Sequence, residues 1–189
     1  MERKRIEIEA KFPLFNKNEV SETLDNLAKK VETNNIQEDI YYTPKHKNFL
    51  KEEPIVEWLR IRNTDQEKTI NYKDWRNSNN ITCKEIEVAI DDYNGIIEIF
   101  KALEFQKIIQ VNKIRNSWEY KNIIISIDTL ANLGDYIELE LKNNLFDNEK
   151  DSLDYIKKIM TELKVNVGDQ IFAGYPQLIM EKNKEKIEI

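Results

Sequence analysis

Charged side chains recur at intervals of two residues in several short segments of the chain. Glu7, Glu9 and Lys11 begin the pattern, and Arg60 and Arg62 repeat its spacing further along. Carboxylate oxygens are the ligands that Mg²⁺ and Mn²⁺ prefer, and arginine and lysine donate hydrogen bonds to phosphate oxygens. These residue types therefore suggest a site for a divalent cation and a phosphate group. The later members are Lys73, Glu85, Glu87, Lys113, Arg115, Asp128, Glu138 and Glu140.

A spacing of two residues places side chains on one face of a β-strand. A sheet with one face in water gives the same alternation, so a solvated face is the simplest interpretation of any single strand. Across the whole set, however, like charges are paired, Glu with Glu and Arg with Arg, which is unfavourable unless ions of opposite sign lie between them. The sheet could therefore curl into a barrel whose charged lumen binds ions, since a lumen of this kind otherwise costs desolvation energy.

The charges of this predicted lumen nearly balance. Its cations are Lys11, Arg60, Arg62, Lys73, Lys113 and Arg115, against the seven carboxylates Glu7, Glu9, Glu85, Glu87, Asp128, Glu138 and Glu140. Such a mixture suits a ligand made of a divalent metal ion and a polyphosphate. The carboxylates would bind the metal ion, and the lysines and arginines would bind the polyphosphate.

Composition narrows the class of protein. The chain has 189 residues with 35 acidic and 29 basic side chains and a net charge of −6, which argues against a basic nucleic-acid coat protein. The single cysteine, Cys83, excludes a disulfide framework and a cysteine-rich zinc site. No apolar run is long enough to span a membrane. We expect a cytoplasmic protein with one domain over residues 1–180 and a charged tail over 181–189, without nucleic-acid or membrane partners.

Apolar residues at helical spacing predict three amphipathic helices. Asn16 is expected to cap the first helix, with Glu19 as its capping-box partner. Asp92 is expected to cap the second, and Asp147 or Asp151 to begin the third. The predicted apolar stripe of the first helix consists of Val20, Leu24, Leu27 and Val31.

Alternating segments between these helices predict about eight strands and an α+β fold rich in antiparallel sheet. The helices would cover the apolar face of the sheet. The predicted strands are Arg5 to Phe12, Asp39 to Tyr42, Glu57 to Arg62, Thr69 to Lys73, Glu85 to Ile90, Ile108 to Tyr120, Ile123 to Thr129 and Tyr136 to Lys142.

The ordered motifs resemble those of the CYTH domains, also called triphosphate tunnel metalloenzymes. Glu7-Ile8-Glu9-Ala10-Lys11 resembles the ExExK signature of that family, and the other pieces follow in the expected order. They are Gln37-x-Asp39-x-Tyr41, Leu59-Arg60-Ile61-Arg62, Tyr72-Lys73, Glu85-Ile86-Glu87, Lys113-Ile114-Arg115, Ile127-Asp128, Leu133-Gly134-Asp135-Tyr136-Ile137-Glu138-Leu139-Glu140 and Gly174-Tyr175-x-x-Leu178.

The resemblance implies a closed barrel of eight antiparallel strands, covered outside by helices, with metal-dependent chemistry on a triphosphate inside its tunnel. It implies Mg²⁺ or Mn²⁺ held by Glu7, Glu9 and Glu140, with Glu138 and Asp128 supporting that shell or a second ion. Glu85 and Glu87 would support the basic residues. Lys11, Arg60, Arg62, Lys73, Lys113 and Arg115 would bind the phosphates, and Glu7, Glu9, Lys11 and Lys73 would take part in catalysis, the lysines by holding phosphate rather than as general bases.

The motif from Leu133 to Glu140 most resembles that of the class IV adenylate cyclase branch, which converts ATP into cyclic AMP and pyrophosphate. The expected partner is therefore a small triphosphate, with a homodimer suggested by the same branch. Two alternatives stay open. One is a hydrolase of tripolyphosphate or thiamine triphosphate, which could use the same residues, and the other is a polyphosphate-binding module without turnover.

One segment departs from the family pattern. Where the family often has Lys-Gly-Pro, this chain has Lys73-Asp74-Trp75. Trp75 could pack within the protein or stack on a base, whereas Trp58 and Trp118 are expected to pack. His46 is expected to be an ordinary exposed residue and Cys83 a small packed side chain.

Overall fold

The computed structural model describes residues 5–76, 82–131, 133–142, 146 and 148–185. These residues form eight strands and four helices, which confirms the predicted α+β class. The elements are β1 (Arg5–Pro13), α1 (Lys17–Leu27), β2 (Lys29–Pro44), β3 (Glu57–Thr64), β4 (Lys68–Asp74), β5 (Thr82–Ala89), α2 (Tyr93–Ala102), β6 (Phe105–Tyr120), β7 (Ile123–Leu130), β8 (Gly134–Leu141), α3 (Glu149–Glu162) and α4 (Tyr175–Glu185).

The chain divides into two compact units. The first unit contains Ile36–Asn112 and the segment that carries α4. In it, β3 pairs antiparallel with both β2 and β4, and β4 pairs with β5. The apolar face of this sheet packs on α2, in a core built around Ile40, Tyr42, Ile61 and Phe100. Burial of this face against one amphipathic helix leaves the opposite face for the polar side chains.

The second unit contains Glu7–Asn35 and Lys113–Phe172. Here β7 pairs antiparallel with β6 and β8, and β8 pairs with β1. Helices α1 and α3 belong to the same unit and contribute buried side chains such as Leu24 and Ile156. The apolar face of the sheet is almost fully buried, as shown by Ile125, Ile137 and Leu139. This alternation again sends the charged residues to the other face.

Two predicted boundaries were wrong for the same reason. Strand β2 begins at Lys29, ten residues before the predicted Asp39, because its first half is polar and shows no apolar alternation. Helix α1 consequently ends at Leu27, and Val31 lies in β2. Both Leu27 and Val31 are exposed, so they do not belong to a buried helical stripe.

The helix caps were predicted in part. The Asp92 side chain accepts from the backbone N–H of Gly95 at 2.8 Å, which confirms this cap. Helix α3 is capped by Asn148, so the predicted start at Asp151 was wrong, and the alternative at Asp147 lies outside the described residues. Asn16 precedes α1, but its side-chain oxygen accepts from the backbone N–H of Asn166 at 2.9 Å instead of from its own helix.

The last helix was not predicted. Helix α4 runs through Tyr175–Glu185 and therefore contains the beginning of the segment that was expected to be a charged tail from residue 181. Its second half consists of lysines, glutamates and an asparagine, so the helix lacks the apolar periodicity on which a sequence-based prediction depends. Among the described residues, no helix combines the length and the apolar character needed to cross a membrane.

Candidate active site

Two arginines on β3 share one buried carboxylate on the polar face of the first unit. The register pairs Asp39 with Arg62 and Tyr41 with Arg60. Arg62 donates to both carboxylate oxygens of Asp39 at 2.7 Å, from Nε and Nη2, and Arg60 Nη1 donates to Asp39 Oδ2 at 3.4 Å. Burial opposes the charge of Arg60, but Asp39, Tyr41 and Glu87 outweigh it and raise the pKa of its guanidinium. Arg60 is thus held as a cation, and Asp39 fixes the positions of both arginines.

The neighbouring strands extend this face with Asn71, Lys73, Glu85 and Glu87. Lys73 Nζ lies 3.6 Å from Glu85, and Arg60 Nη2 lies 3.8 Å from Glu87. The Asn71 amide donates to both glutamates, at 3.1 Å to Glu87. These contacts fit the predicted supporting role of the two glutamates beside the basic residues. We call the set Asp39, Arg60, Arg62, Asn71, Lys73, Glu85 and Glu87 the Arg60 cluster.

Two buried polar atoms on this face have no hydrogen-bond partner among the described residues. They are Nε of Arg60 and Oε1 of Gln37. A buried donor without a partner costs free energy unless a bound group accepts from it. A phosphate oxygen is a suitable acceptor for Arg60 Nε, and a hydroxyl or amino group is a suitable donor for Gln37.

A second buried ion cluster lies on the polar face of the second unit. Asp128, which is 0% exposed, accepts from Arg115 Nε at 2.7 Å and Nη2 at 2.6 Å, and from Lys113 Nζ at 2.9 Å. Burial raises the pKa of the Asp128 carboxyl, but Arg115 and Lys113 more than offset this effect, so its pKa lies below the ordinary value. Asp128 therefore stays charged and fixes two of the predicted phosphate ligands.

Glu138 extends this cluster to strand β1. It accepts from Arg115 and lies 3.2 Å from Lys11 Nζ, its register partner on β1. Burial raises the pKa of Glu138, but Lys11 and Arg115 dominate and hold it well below the ordinary value. We call Lys11, Lys113, Arg115, Asp128 and Glu138 the Asp128 cluster.

Two further carboxylates of this face lie opposite each other. Glu9 on β1 is the register partner of Glu140 on β8. Cross-strand partners have their β-carbons about 5 Å apart, close enough for two carboxylates to share one cation. Glu7 lies in β1 two residues before Glu9, but its side chain is outside the described part of the structure.

The donor atoms of the second unit's polar face determine which metal ions it could hold. Within the described side chains, no three His, Cys, Asp or Glu residues already form a metal-binding group. The donors on the second unit's polar face are carboxylate oxygens, which suit Mg²⁺ or Mn²⁺. His46 is exposed and Cys83 is buried, so neither adds a zinc-type ligand to this face. The residues therefore fit a hard cation, with Glu9 and Glu140 as the described ligands.

The pKa shifts of Asp128 and Glu138 predict loss of stability in acid. Both pKa values are lower in the folded chain, so the stabilisation is complete above the unfolded value of about 4 and is lost as pH falls through the folded values. We expect the free energy of unfolding, measured with urea between pH 7 and pH 3, to decrease at the acid end. Glu138→Gln should flatten this decrease, whereas Glu22→Gln, at an exposed position, should not. Equal acid dependence in all three proteins would contradict the assignment.

Several polar residues were not assigned to the site by sequence reasoning. Asp39 belongs to the quoted Gln37-x-Asp39-x-Tyr41 motif, and its spacing from Tyr41 could have placed it on the charged face. In the second unit, Ser117 donates to Glu32 and lies 2.9 Å from Ser126. These serines carry no charge, so a pattern of charged pairs in the sequence does not reveal them.

The tryptophans differ in burial. Trp58 is 7% exposed with its ring edge-on to Tyr41, and Trp118 is 1% exposed and donates to Asp25 at 2.8 Å. Both are packing residues, as predicted. Trp75 is half-buried.

Comparison with known proteins identifies the family. A profile of the CYTH domain matches residues 5–175. A protein of Methanocaldococcus jannaschii, provisionally named an adenylate cyclase, is 34% identical over 175 residues, which cover 92% of this chain and 98% of that relative. A solved structure from Pyrococcus horikoshii is 29% identical with a TM-score of 0.78, and it covers 93% of this chain and 99% of its own.

A more distant structure has the same fold. It is a Hippeastrum protein described as an adenylyl cyclase candidate with a dominant triphosphatase activity, 13% identical with a TM-score of 0.62 and coverage of 95% for both chains. The profile match includes every charged residue of the two clusters, and the predicted resemblance is confirmed. The chain belongs to the CYTH domain family.

Proposed function

We propose that this protein is a metal-dependent enzyme that transfers a phosphoryl or nucleotidyl group from a triphosphate, with the reaction of an adenylate cyclase as the first candidate. The observation that carries the proposal is the Arg60 side chain. It is a half-buried cation, fixed by Asp39, whose Nε atom is itself buried and has no hydrogen-bond partner among the described residues. A cation that is held in place and has an unused N–H donor is suited to bind an anion. The name of the Methanocaldococcus jannaschii relative favours the cyclase reaction.

The basic residues would neutralise the charge of the triphosphate. Arg60 and Arg62 are held by Asp39, and Lys113 and Arg115 by Asp128. Transfer of a phosphoryl group depends mainly on positioning and on electrostatic stabilisation, which cations in fixed positions supply. Lys11 and Lys73 each lie beside a glutamate, which positions their ammonium groups on the polar faces where they would bind phosphate.

The proposed metal ligands are Glu7, Glu9 and Glu140, with Glu138 and Asp128 supporting that shell or a second ion while they hold the surrounding cations. A bound Mg²⁺ or Mn²⁺ would neutralise phosphate charge and lower the pKa of the attacking group. In a cyclase that group is the ribose 3′-hydroxyl of ATP, which attacks the α-phosphorus and displaces pyrophosphate. In a hydrolase it is water, which attacks the terminal phosphorus.

Product analysis tests the proposal. The protein is incubated with Mg²⁺ or Mn²⁺ and with ATP, tripolyphosphate or thiamine triphosphate. Cyclic AMP with pyrophosphate supports the cyclase, and orthophosphate supports the hydrolase. Addition of a chelator should stop either reaction. Absence of product from every substrate at micromolar enzyme would overturn the enzyme proposal, and tight tripolyphosphate binding without turnover would then favour the binding module.

Arg60→Ala is expected to weaken substrate binding more than it slows the chemical step. A hydrogen bond to a charged group contributes about 1.5–3 kcal/mol, so we expect KM to rise roughly 10- to 100-fold. Asp39 keeps its two bonds from Arg62, so the fold should persist. Arg60→Lys should recover part of the loss, and Lys101→Ala, at an exposed lysine, should leave KM unchanged. An unchanged KM in Arg60→Ala would remove Arg60 from the site.

We further propose that the eight strands close into one barrel, so that both polar faces line a single tunnel. This arrangement would let one triphosphate contact both the Arg60 and the Asp128 clusters. Arg60→Ala and Lys11→Ala should then weaken binding of the same substrate, and their effects should be non-additive. A homodimer and a cytoplasmic location stay predictions.

A further inference from the structure

The turn that follows Lys73 continues the β3–β4 ladder beyond the last paired residues. Asp74 is the register partner of Glu57, and the backbone N–H of Trp75 then donates to Val56 O at 2.8 Å. Side chains alternate along paired strands, so Trp75 lies on the same face as Lys73. The two residues are two positions apart, which corresponds to about 7 Å along the strand. The residue that replaces the proline of the usual family pattern thus stands at the end of the polar face.

The opposite face of this turn is fixed by a network of ion pairs. Asp74 accepts from the backbone N–H of Arg76 and from its Nε, both at 3.0 Å, and from its Nη2 at 2.7 Å. Arg76 also lies 3.3 Å from the buried carboxylate of Glu57, which accepts from Tyr72 and Lys47 as well. The backbone on both sides of Trp75 is therefore held in place.

Exposure distinguishes Trp75 from the other tryptophan on this face. Trp58 is the register partner of Lys73, but its ring is buried against Tyr41 and lies close to Gly174. Trp75 is half-buried, so part of its indole is accessible. Aromatic side chains in such positions bind flat rings by stacking, and this interaction tolerates different rings because each has a π-face.

We infer that Trp75 binds the aromatic group of an organic triphosphate whose phosphates are held by Lys73 and the arginines of the same face. This inference rests on the proposed function and names its substrate class: a triphosphate ester that carries a flat aromatic ring, and not inorganic tripolyphosphate. ATP and thiamine triphosphate share this chemistry. The geometry that supports it is the spacing of two residues between Lys73, which is proposed to bind phosphate, and the partly accessible indole of Trp75.

Trp75→Ala should discriminate between substrates with and without a ring. Loss of one stacked ring lowers affinity roughly 5- to 150-fold, so kcat/KM for the organic substrate should fall within that range. The value for tripolyphosphate should change by less than about twofold, since it has no group to stack. Trp75→Phe should retain most of the activity, and Phe15→Ala, at an exposed aromatic residue elsewhere, should resemble the wild type. Separate assays with ATP and thiamine triphosphate show which ring is used.

Binding measured by calorimetry in Mg²⁺ keeps this test separate from the proposed function. If the wild type binds ATP or thiamine triphosphate more tightly than tripolyphosphate and Trp75→Ala removes the difference, the inference holds even when no turnover is seen. Equal losses for tripolyphosphate and the organic substrates, or no loss for any of them, would overturn it. If Trp75→Ala does not fold, Trp75→Leu repeats the comparison with an apolar side chain that lacks a ring, and wild-type affinity in this variant would overturn the inference.

Discussion

Glu9→Gln is expected to abolish the metal-dependent activity while the protein remains folded. Glu9 lies opposite Glu140 on the polar face of the second unit, and glutamine keeps its size while removing the charge that a divalent cation requires. We expect kcat/KM to fall on the order of 100-fold or more, since the metal supplies much of the charge stabilisation in the transition state. Steady-state assays over a titration of Mg²⁺ or Mn²⁺ measure the effect.

The control for this variant is Glu22→Gln, which removes a carboxylate from an exposed position on α1. Its activity and metal dependence should equal those of the wild type. The urea midpoint of Glu9→Gln should stay close to the wild-type value, because Glu9 is not fully buried and the substitution preserves its volume. A fully active Glu9→Gln enzyme would mean that the metal, if one is used, is held by other residues.

Asp128→Asn is expected to cause the largest loss of stability of any substitution considered for this chain. Asp128 is completely buried and balances Arg115 and Lys113, and the Lys113 side chain is itself only 3% exposed. Removal of one partner from a buried ion pair leaves an uncompensated charge and costs about 3–5 kcal/mol. Urea denaturation at pH 7 measures the change in the free energy of unfolding.

An ion pair on the surface provides the matched comparison. Glu162 accepts from Lys121 at 2.7 Å, a distance similar to those at Asp128, but both side chains are well exposed. Glu162→Gln should therefore lower the free energy of unfolding far less than Asp128→Asn does. Both variants remove one carboxylate charge from a short ion pair, and the two sites differ in burial and in the second cation that Asp128 holds. Equal losses in the two variants would show that the burial of Asp128 does not determine its contribution.

The sequence predicted which residues share a face better than it predicted which residues pair. Strand alternation placed Glu9, Lys11, Glu138 and Glu140 together, and the β1–β8 register confirms this. The contact of Asp128 with both Lys113 and Arg115 depends on the register between β6 and β7. That register is set by packing across strands that are distant in sequence, so a pattern within one strand cannot reveal it.

The missed features have related causes. Asp39 was overlooked because no charged residue lies two positions before or after it in its strand, although it anchors two arginines. The first half of β2 was overlooked because its residues are polar and mostly exposed, so that pairing with neighbouring strands, and not apolar patterning, defines it. Helix α4 has a weak apolar stripe, and its existence likewise depends on the surrounding structure.

The ion pairs around Asp39 and Asp128 also determine when the conformational entropy of the basic side chains is lost. A free lysine or arginine side chain loses up to about 2 kcal/mol of rotamer entropy when it is immobilised. Arg62, Lys113 and Arg115 are already restrained by carboxylates in the folded chain, so this loss accompanies folding. An incoming triphosphate would meet cations that are already ordered, and more of its interaction energy would be available as affinity.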